Sequence, residues 1–210
     1  MSISTTRLEV MTELGRNMDN FVAQYLNPID SNWQPSDMLP DSTKDNFFDE
    51  VKLLQEAAKE LPYDYWAVLI GDTITEEALP TYESWLMGMD TVNQQDQENS
   101  WVRWIRNWTA EEGRHGNLLG TYLYLSGKVD MHSVAVSTQY LIADGFDIGT
   151  SGDPYRNFIY TSFQEMATNV SHRRTASLAK QHGNSLLSRM CAQIAADELR
   201  HAKAYKAQAE

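Results

Sequence analysis

Residues 109–119 read TAEEGRHGNLL, and residues 195–205 read AADELRHAKAY. Both contain an acid, a glutamate, one further residue, an arginine and a histidine, in that order. The runs are Glu111-Glu112-Gly113-Arg114-His115 and Asp197-Glu198-Leu199-Arg200-His201. Residues three apart on an α-helix lie about 60° from each other, one turn up, so the Glu and His of each run share a face. A single Glu-x-x-His is weak information and equally describes a salt-bridged surface turn. Two copies with the same flanks, in a chain with 5 histidines, are not the expectation of chance.

Outward from these runs the apolar periodicity is helical almost throughout. It predicts helices over about 5–25, 45–60, 65–91, 99–125, 130–145, 154–182 and 184–208. SNWQPSDMLPDSTKDN (31–46) reads as a loop, with two prolines and no period. TVNQQDQENS (91–100) reads as a polar linker, and SGKVD (126–130) and DGFDIGTSGDP (144–154) read as turns. Pro154 suits the first turn of a helix. No segment alternates for long enough to be a strand. Several helices of about 25 residues, each with a stripe to bury, predict one all-α domain over 1–210 built on a helix bundle.

Paired Glu-x-x-His turns on two helices, with one further Glu from each of two others, form the ligand set of ferritin-like di-iron bundles. Glu165 suits one of the lone positions. It lies in YTSFQEMATNV among aromatic and small residues, with no basic partner one turn away. The other position falls in GDTITEEALPTY (71–82), where Glu76 and Glu77 are both available. Four carboxylates and two neutral imidazoles balance two divalent cations, and such a cluster repels itself without metal. Oxygen and imidazole donors without thiolate suit iron or manganese. Surface ion pairs on acidic helices are the competing account; the duplicated motif and the isolation of Glu165 disfavour it.

Composition narrows the remaining classes. There are 17 Lys+Arg against 29 Asp+Glu, a formal net charge of −12. That disfavours a nucleic-acid surface, since neutralising phosphates needs a basic excess. Cys191 is the only cysteine, so an internal disulfide and a cysteine-based metal site are both excluded. The first residues lack an apolar signal-like core, and nowhere do eighteen apolar residues run together. The expectation is a soluble cytoplasmic protein with no membrane contact.

GDTITEEALPTY, WTAEEGRHGNLL, YLYLSGKVDM, FIYTSFQEMAT and IAADELRHAKAY closely resemble the soluble acyl-[acyl-carrier-protein] desaturases of plant plastids and bacteria. The resemblance runs from about Trp33 to Tyr205. It implies a ferritin-like four-helix core with additional helices, and a homodimer. It selects Glu76 over Glu77 and implies Glu76, Glu112, His115, Glu165, Glu198 and His201 as ligands of two iron ions. The 53 positions from Glu112 to Glu165 leave room for an extra helix at 130–145, which compact ferritin-type bundles lack. The implied reaction inserts a cis double bond into a saturated acyl chain on acyl carrier protein, in fatty acid biosynthesis, using O₂ and two electrons from ferredoxin. An iron-oxidising bundle with the same centre and no organic substrate is the alternative.

The resemblance also implies supporting roles. Thr168, one turn after Glu165, lies beside the oxygen site and aids proton delivery; otherwise it is a helix threonine bonded to its own backbone. Asp197 joins Trp33 and His115 in a hydrogen-bonded route for electrons; otherwise Trp33 anchors a loop. From spacing alone, Trp101, Trp104 and Trp108 form a core stripe, with Trp108 beneath the ligands. Pro80 predicts a kink beside Glu76, whose carbonyl it cannot serve. Arg114 and Arg200 point off the metal face, solvated or paired with carboxylates. Trp85, Gly88 and Met89 are candidates for shaping the acyl cavity. Two departures stand out. The sequence ends nine residues after His201, short of the plant proteins, and Asn27 and Ser31 stand where those proteins carry lysines facing the carrier.

Overall fold

A computed structural model of the chain describes residues 5–92 and 100–210. Among these residues the secondary structure is helical, without strands. The helices are α1 (Thr5–Arg16), α2 (Met18–Tyr25), α3 (Phe47–Lys59), α4 (Tyr63–Glu77), α5 (Leu79–Met87), α6 (Ser100–Ser126), α7 (Met131–Asp144), α8 (Pro154–Gln181) and α9 (Ser185–Ala209). None of them is long and apolar enough to cross a membrane.

Four helices close a ring: α4 packs on α6, α6 on α9, α9 on α8, and α8 on α4. This is the expected four-helix core, with α1, α2, α3, α5 and α7 added around it. Its long helices start where local chemistry places them. The Asp153 side chain accepts from the Arg156 N–H, and Pro154 occupies the first turn of α8. Asn184 caps α9 by accepting from the Leu187 N–H at 3.0 Å, and its amide donates to the Tyr122 hydroxyl at 2.8 Å. Gly183, at φ +75°, supplies the left-handed residue that lets α8 turn back into α9.

Two expected helices are broken. The segment 5–25 parts at Asn17, whose φ −98° and ψ 2° leave the helical region. The segment 65–91 parts at Ala78, with φ −79° and ψ 11°. Pro80 accounts for the second break. Its ring clashes with the carbonyl of residue 76 and it has no N–H to give. The expected kink is therefore a full stop: α4 ends at Glu77 and α5 restarts with Pro80 in its first turn. Most of the expected 91–100 linker lies outside the described residues.

The core is apolar at both ends and polar in the middle. One cluster gathers Trp101, Trp104, Trp108, Phe158 and Tyr205. The other gathers Leu118, Leu119, Tyr122, Leu123, Leu187, Met190 and Ile194. Along α6 and α9 the duplicated motifs fall between these clusters. The two apolar ends carry the burial energy, roughly 1.5–3 kcal/mol for each fully buried large side chain. They hold a charged layer between them.

Candidate metal centre

Glu76, Glu112, His115, Glu165, Glu198 and His201 are all at most 7% exposed. They form two groups whose potential ligand atoms lie within 4.8 Å of one another: Glu76, Glu112, His115 and Glu198, and Glu112, Glu165, Glu198 and His201. Glu112 and Glu198 belong to both. His115 Nδ1 lies 3.0 Å from Glu112 Oε2, 3.2 Å from Glu198 Oε1 and 3.6 Å from Glu76 Oε2. His201 Nδ1 contacts Glu112 Oε1 and lies 3.7 Å from Glu165 Oε2. Glu77 turns away instead, and Thr138 donates to it at 3.4 Å.

The cluster fits a cation. His115 Nδ1, His201 Nδ1, Glu112 Oε1 and Glu198 Oε1 are buried and crowd one another without a well-aligned hydrogen bond, and all four belong to the two groups. Donors and acceptors that meet only in poor alignment at such depth are costly unless something else satisfies them. The charges agree. Burial, and then the charges of Glu112 and Glu198, push the Glu165 carboxyl well above the usual range. Burial opposes charging of His115 and His201, yet the Glu112 charge and the surrounding acids raise both far above the ordinary imidazole. Without metal the cluster must gather protons; a cation displaces them.

The outer nitrogens explain the whole five-residue motif. His115 Nε2 lies 3.3 Å from Asp197 Oδ2, and His201 Nε2 lies 2.6 Å from Glu111 Oε2. The acid of each motif thus crosses to the histidine of the other. Carboxylates at Nε2 place the ring proton there and leave Nδ1 for the centre. The arginines tie the acids together. Arg114 Nη2 lies 2.9 Å from Asp197 Oδ2, Arg200 Nη1 lies 2.7 Å from Asp197 Oδ1, and Arg200 Nη2 lies 2.7 Å from Glu111 Oε1. Of the two expectations for these arginines, carboxylate pairing is the outcome, and Arg114 is buried.

The loop before α3 joins this network. Trp33 Nε1–H donates to Asp197 Oδ2 at 2.9 Å, and the ring stacks on His115 at 6.0 Å between centroids. Arg114 Nη1 donates to the Trp33 carbonyl at 2.8 Å and its guanidinium covers the indole. Trp33, Asp197 and His115 are therefore in one hydrogen-bonded line, and Trp33 is also a loop anchor. Thr168 bonds to its own helix backbone and also reaches a ligand candidate. Its hydroxyl lies 3.0 Å from the Glu165 carbonyl and 2.7 Å from Glu198 Oε2.

On the side of Thr168 a narrow cavity of about 50 Å³ reaches Glu76, Glu112, Glu165 and Glu198. Its rings come from Trp108, Tyr82, Trp85, Phe146 and Tyr160. Trp85 meets Phe146 at 5.2 Å and Tyr160 at 5.7 Å, edge to face. Of the three cavity candidates after Glu76, the structure brings Trp85 to this wall. Met89 is buried in the apolar cluster and Gly88 is exposed.

Sequence reasoning missed the supporting role of Glu111 and the presence of His172. The first was readable as the shared leading acid of the two motifs. The second stands seven residues, two turns, beyond Glu165 and so on the same helix face.

A family model described as fatty acid desaturase matches residues 6–210. The chain is 50% identical to stearoyl-[acyl-carrier-protein] 9-desaturase 5, chloroplastic, of Arabidopsis thaliana, over 97% of this chain and 52% of that protein. It is 52% identical to the 9-desaturase 5 of Oryza sativa subsp. japonica, over 97% of this chain and 53% of the relative. To the stearoyl-[acyl-carrier-protein] 9-desaturase of Ricinus communis the identity is 48%, again over 97% of the chain and 52% of the relative. The chain spans about half the length of these curated relatives.

Proposed function

The chain belongs to the fatty acid desaturase family, and from this premise we propose that it is an acyl-[acyl-carrier-protein] desaturase with a di-iron centre. The reaction takes a saturated acyl chain, O₂, two electrons and two protons to a cis-unsaturated chain and two waters. The observation that carries the reading is the convergence of buried carboxylate and imidazole atoms in two ligand groups that share Glu112 and Glu198, at the wall of a ring-lined cavity. Glu76, Glu112, His115 and Glu198 would hold one iron, and Glu112, Glu165, Glu198 and His201 the other. Bound there, the iron pair supplies reduction of O₂ and removal of hydrogen from an unactivated methylene. The protein supplies position and exclusion of water. Asp197 and Glu111 fix the two imidazoles. Tyr82, Trp85, Phe146 and Tyr160 give the cavity an apolar ring wall of the kind an acyl chain would meet. Thr168 lines that cavity and donates to Glu198, where a hydroxyl can hold and pass a proton. The line Trp33–Asp197–His115 carries electrons inward from ferredoxin. A homodimer and an acyl carrier protein as the bearer of the substrate complete the proposal.

Anaerobic reconstitution with Fe²⁺, followed by acyl carrier protein loaded with saturated chains, reductant and O₂, tests it. Mass spectrometry should find a product lighter by two hydrogens. Two bound irons and O₂ consumption without that product would point to the iron-oxidising alternative and overturn the proposal.

A further inference from the structure

His172 on α8 is 1% exposed, and its Nε2 lies 2.7 Å from Glu76 Oε1. Asp72 is nearby but engaged elsewhere. It accepts from the Ser171 hydroxyl at 2.7 Å, and its nearer oxygen stays 3.9 Å from His172 Nδ1. Among the described residues the one close carboxylate for this ring is therefore Glu76.

The opposite side of the centre has a matching arrangement. Trp108 Nε1–H donates to Glu165 Oε1 at 3.0 Å. Glu76 and Glu165 are the two carboxylates that belong to only one ligand group each. In both, Oε1 is held from outside by a buried ring nitrogen. In both, Oε2 faces the nearer histidine, at 3.6 Å from His115 Nδ1 and at 3.7 Å from His201 Nδ1. A carboxylate can rotate about its last bond; a hydrogen bond to one oxygen fixes where the other points. Glu76 needs this most, because it sits in the last turn of a helix that stops one residue later.

We infer that His172 is a positioning residue for one half of the metal centre: it donates from Nε2 to Glu76 Oε1 and thereby presents Oε2 to the metal of the His115 site, leaving the His201 site to Trp108. The inference rests on the metal-centre reading above. Outer partners of ligands change metal affinity by about 10–100-fold, so the effect is measurable without turnover.

The test is anaerobic titration of the metal-free protein with Co²⁺, read by calorimetry and by electronic absorption. Wild type should take up two ions per chain. His172→Leu should weaken one of them by tenfold or more and leave the other unchanged. His172→Gln keeps a terminal N–H donor of similar reach and should restore most of the affinity; His172→Asn, shorter, should not. Backgrounds assign the site. With Glu165→Ala, the remaining ion should weaken tenfold on adding His172→Leu; with Glu76→Ala, adding it should change nothing. Equal weakening in both backgrounds, or none in either, overturns the inference. If the leucine variant does not fold, the Gln and Asn variants make the same comparison, and equal affinity in those two overturns it. A wild type that binds no Co²⁺ and no Fe²⁺ instead brings down the metal-centre reading, and this inference with it.

Discussion

Gly116→Ala probes the fold and the site together, with its control on the same helix. Helix propensity treats Gly113 and Gly116 alike: alanine at either position should stabilise α6 by about 0.5–1 kcal/mol. The surroundings separate them. A Cβ on Gly113 would meet only Leu79 Cδ2, at 3.9 Å, which is ordinary contact. A Cβ on Gly116 would stand 3.1 Å from Glu76 C and Glu77 N and 3.2 Å from Glu76 O. These are backbone atoms, so no rotamer change relieves them, and the last turn of α4 must retreat by a few tenths of an ångström. Overpacking of this kind costs about 1–3 kcal/mol. Set against the propensity gain, Gly116→Ala should lose about 1 kcal/mol, whereas Gly113→Ala should gain somewhat less than that. In a chain of 210 residues 1 kcal/mol moves Tm by about 2–4 °C. The two variants should thus melt on opposite sides of wild type by a few degrees, followed by circular dichroism on the metal-free protein. The displaced turn carries Glu76, so Gly116→Ala should also weaken one of the two metal ions in titration. Equal melting temperatures for the two variants would refute the claim that α4 rests on the backbone of α6 at this point.

Three further outcomes are expected. Glu112→Ala or Glu198→Ala should leave a helical protein with almost no metal after dialysis, because each carboxylate serves both groups; Glu76→Ala or Glu165→Ala should retain about one ion, and full occupancy in the first pair would sink the ligand assignment. Thr168→Asp should keep its metal but consume O₂ without matching product, since a carboxylate beside Glu198 adds a competing proton donor and acceptor; an unchanged ratio of product to O₂ removes that role from Thr168. Reversing the exposed Lys52 and Lys59, or Arg173 and Arg174, to Glu should raise KM for the acyl carrier substrate at low salt. The effect should fade above 0.1 M, where screening acts beyond about 10 Å, and no change in either double variant would exclude both patches as docking sites.

What was legible in the sequence follows the range of the physics involved. α6, α8 and α9 are legible to within a few residues because their signals are local: a long apolar period, and Pro154 at the first turn of α8. The breaks at Asn17 and Ala78 leave no mark in the pattern, because apolar periodicity runs across them. Pro80 announced a disturbance without saying whether the helix would bend or stop. Glu112, His115, Glu198 and His201 are legible because three-residue spacing on a helix is itself geometry; Glu165 stands out by its isolation among apolar residues, and Glu76 is separated from Glu77 only by the family resemblance. Their partners were harder to find. His172 meets Glu76 across 96 positions, and Glu111 meets His201 across 90. No local pattern states which helix faces which, so both contacts appear only once α4, α6, α8 and α9 close their ring. Trp108 belongs to both regimes, being the end of a readable core stripe and a donor to Glu165.

The crossing of the acids explains why the motif is duplicated as a unit of five rather than as Glu-x-x-His alone. A histidine that faces carboxylates through Nδ1 must keep its proton on Nε2, so each imidazole needs an acceptor behind it. A helix cannot supply that acceptor to its own histidine from four residues earlier when the intervening turn already points the histidine across the bundle. It can supply it to the histidine of the helix opposite, as Glu111 does for His201 and Asp197 for His115. Those acids are themselves buried, and an unpaired buried carboxylate would cost more than the orientation it secures. Arg114 and Arg200 resolve this by each engaging an acid of the opposite or the same motif, so that two positive charges answer two negative ones on the outer side of the imidazoles. Arg200 engages both acids and so ties the two motifs together, while Asp197 keeps one arginine if the other is lost. The acid, arginine and histidine of each helix therefore act together with those of the other, and each set is incomplete alone.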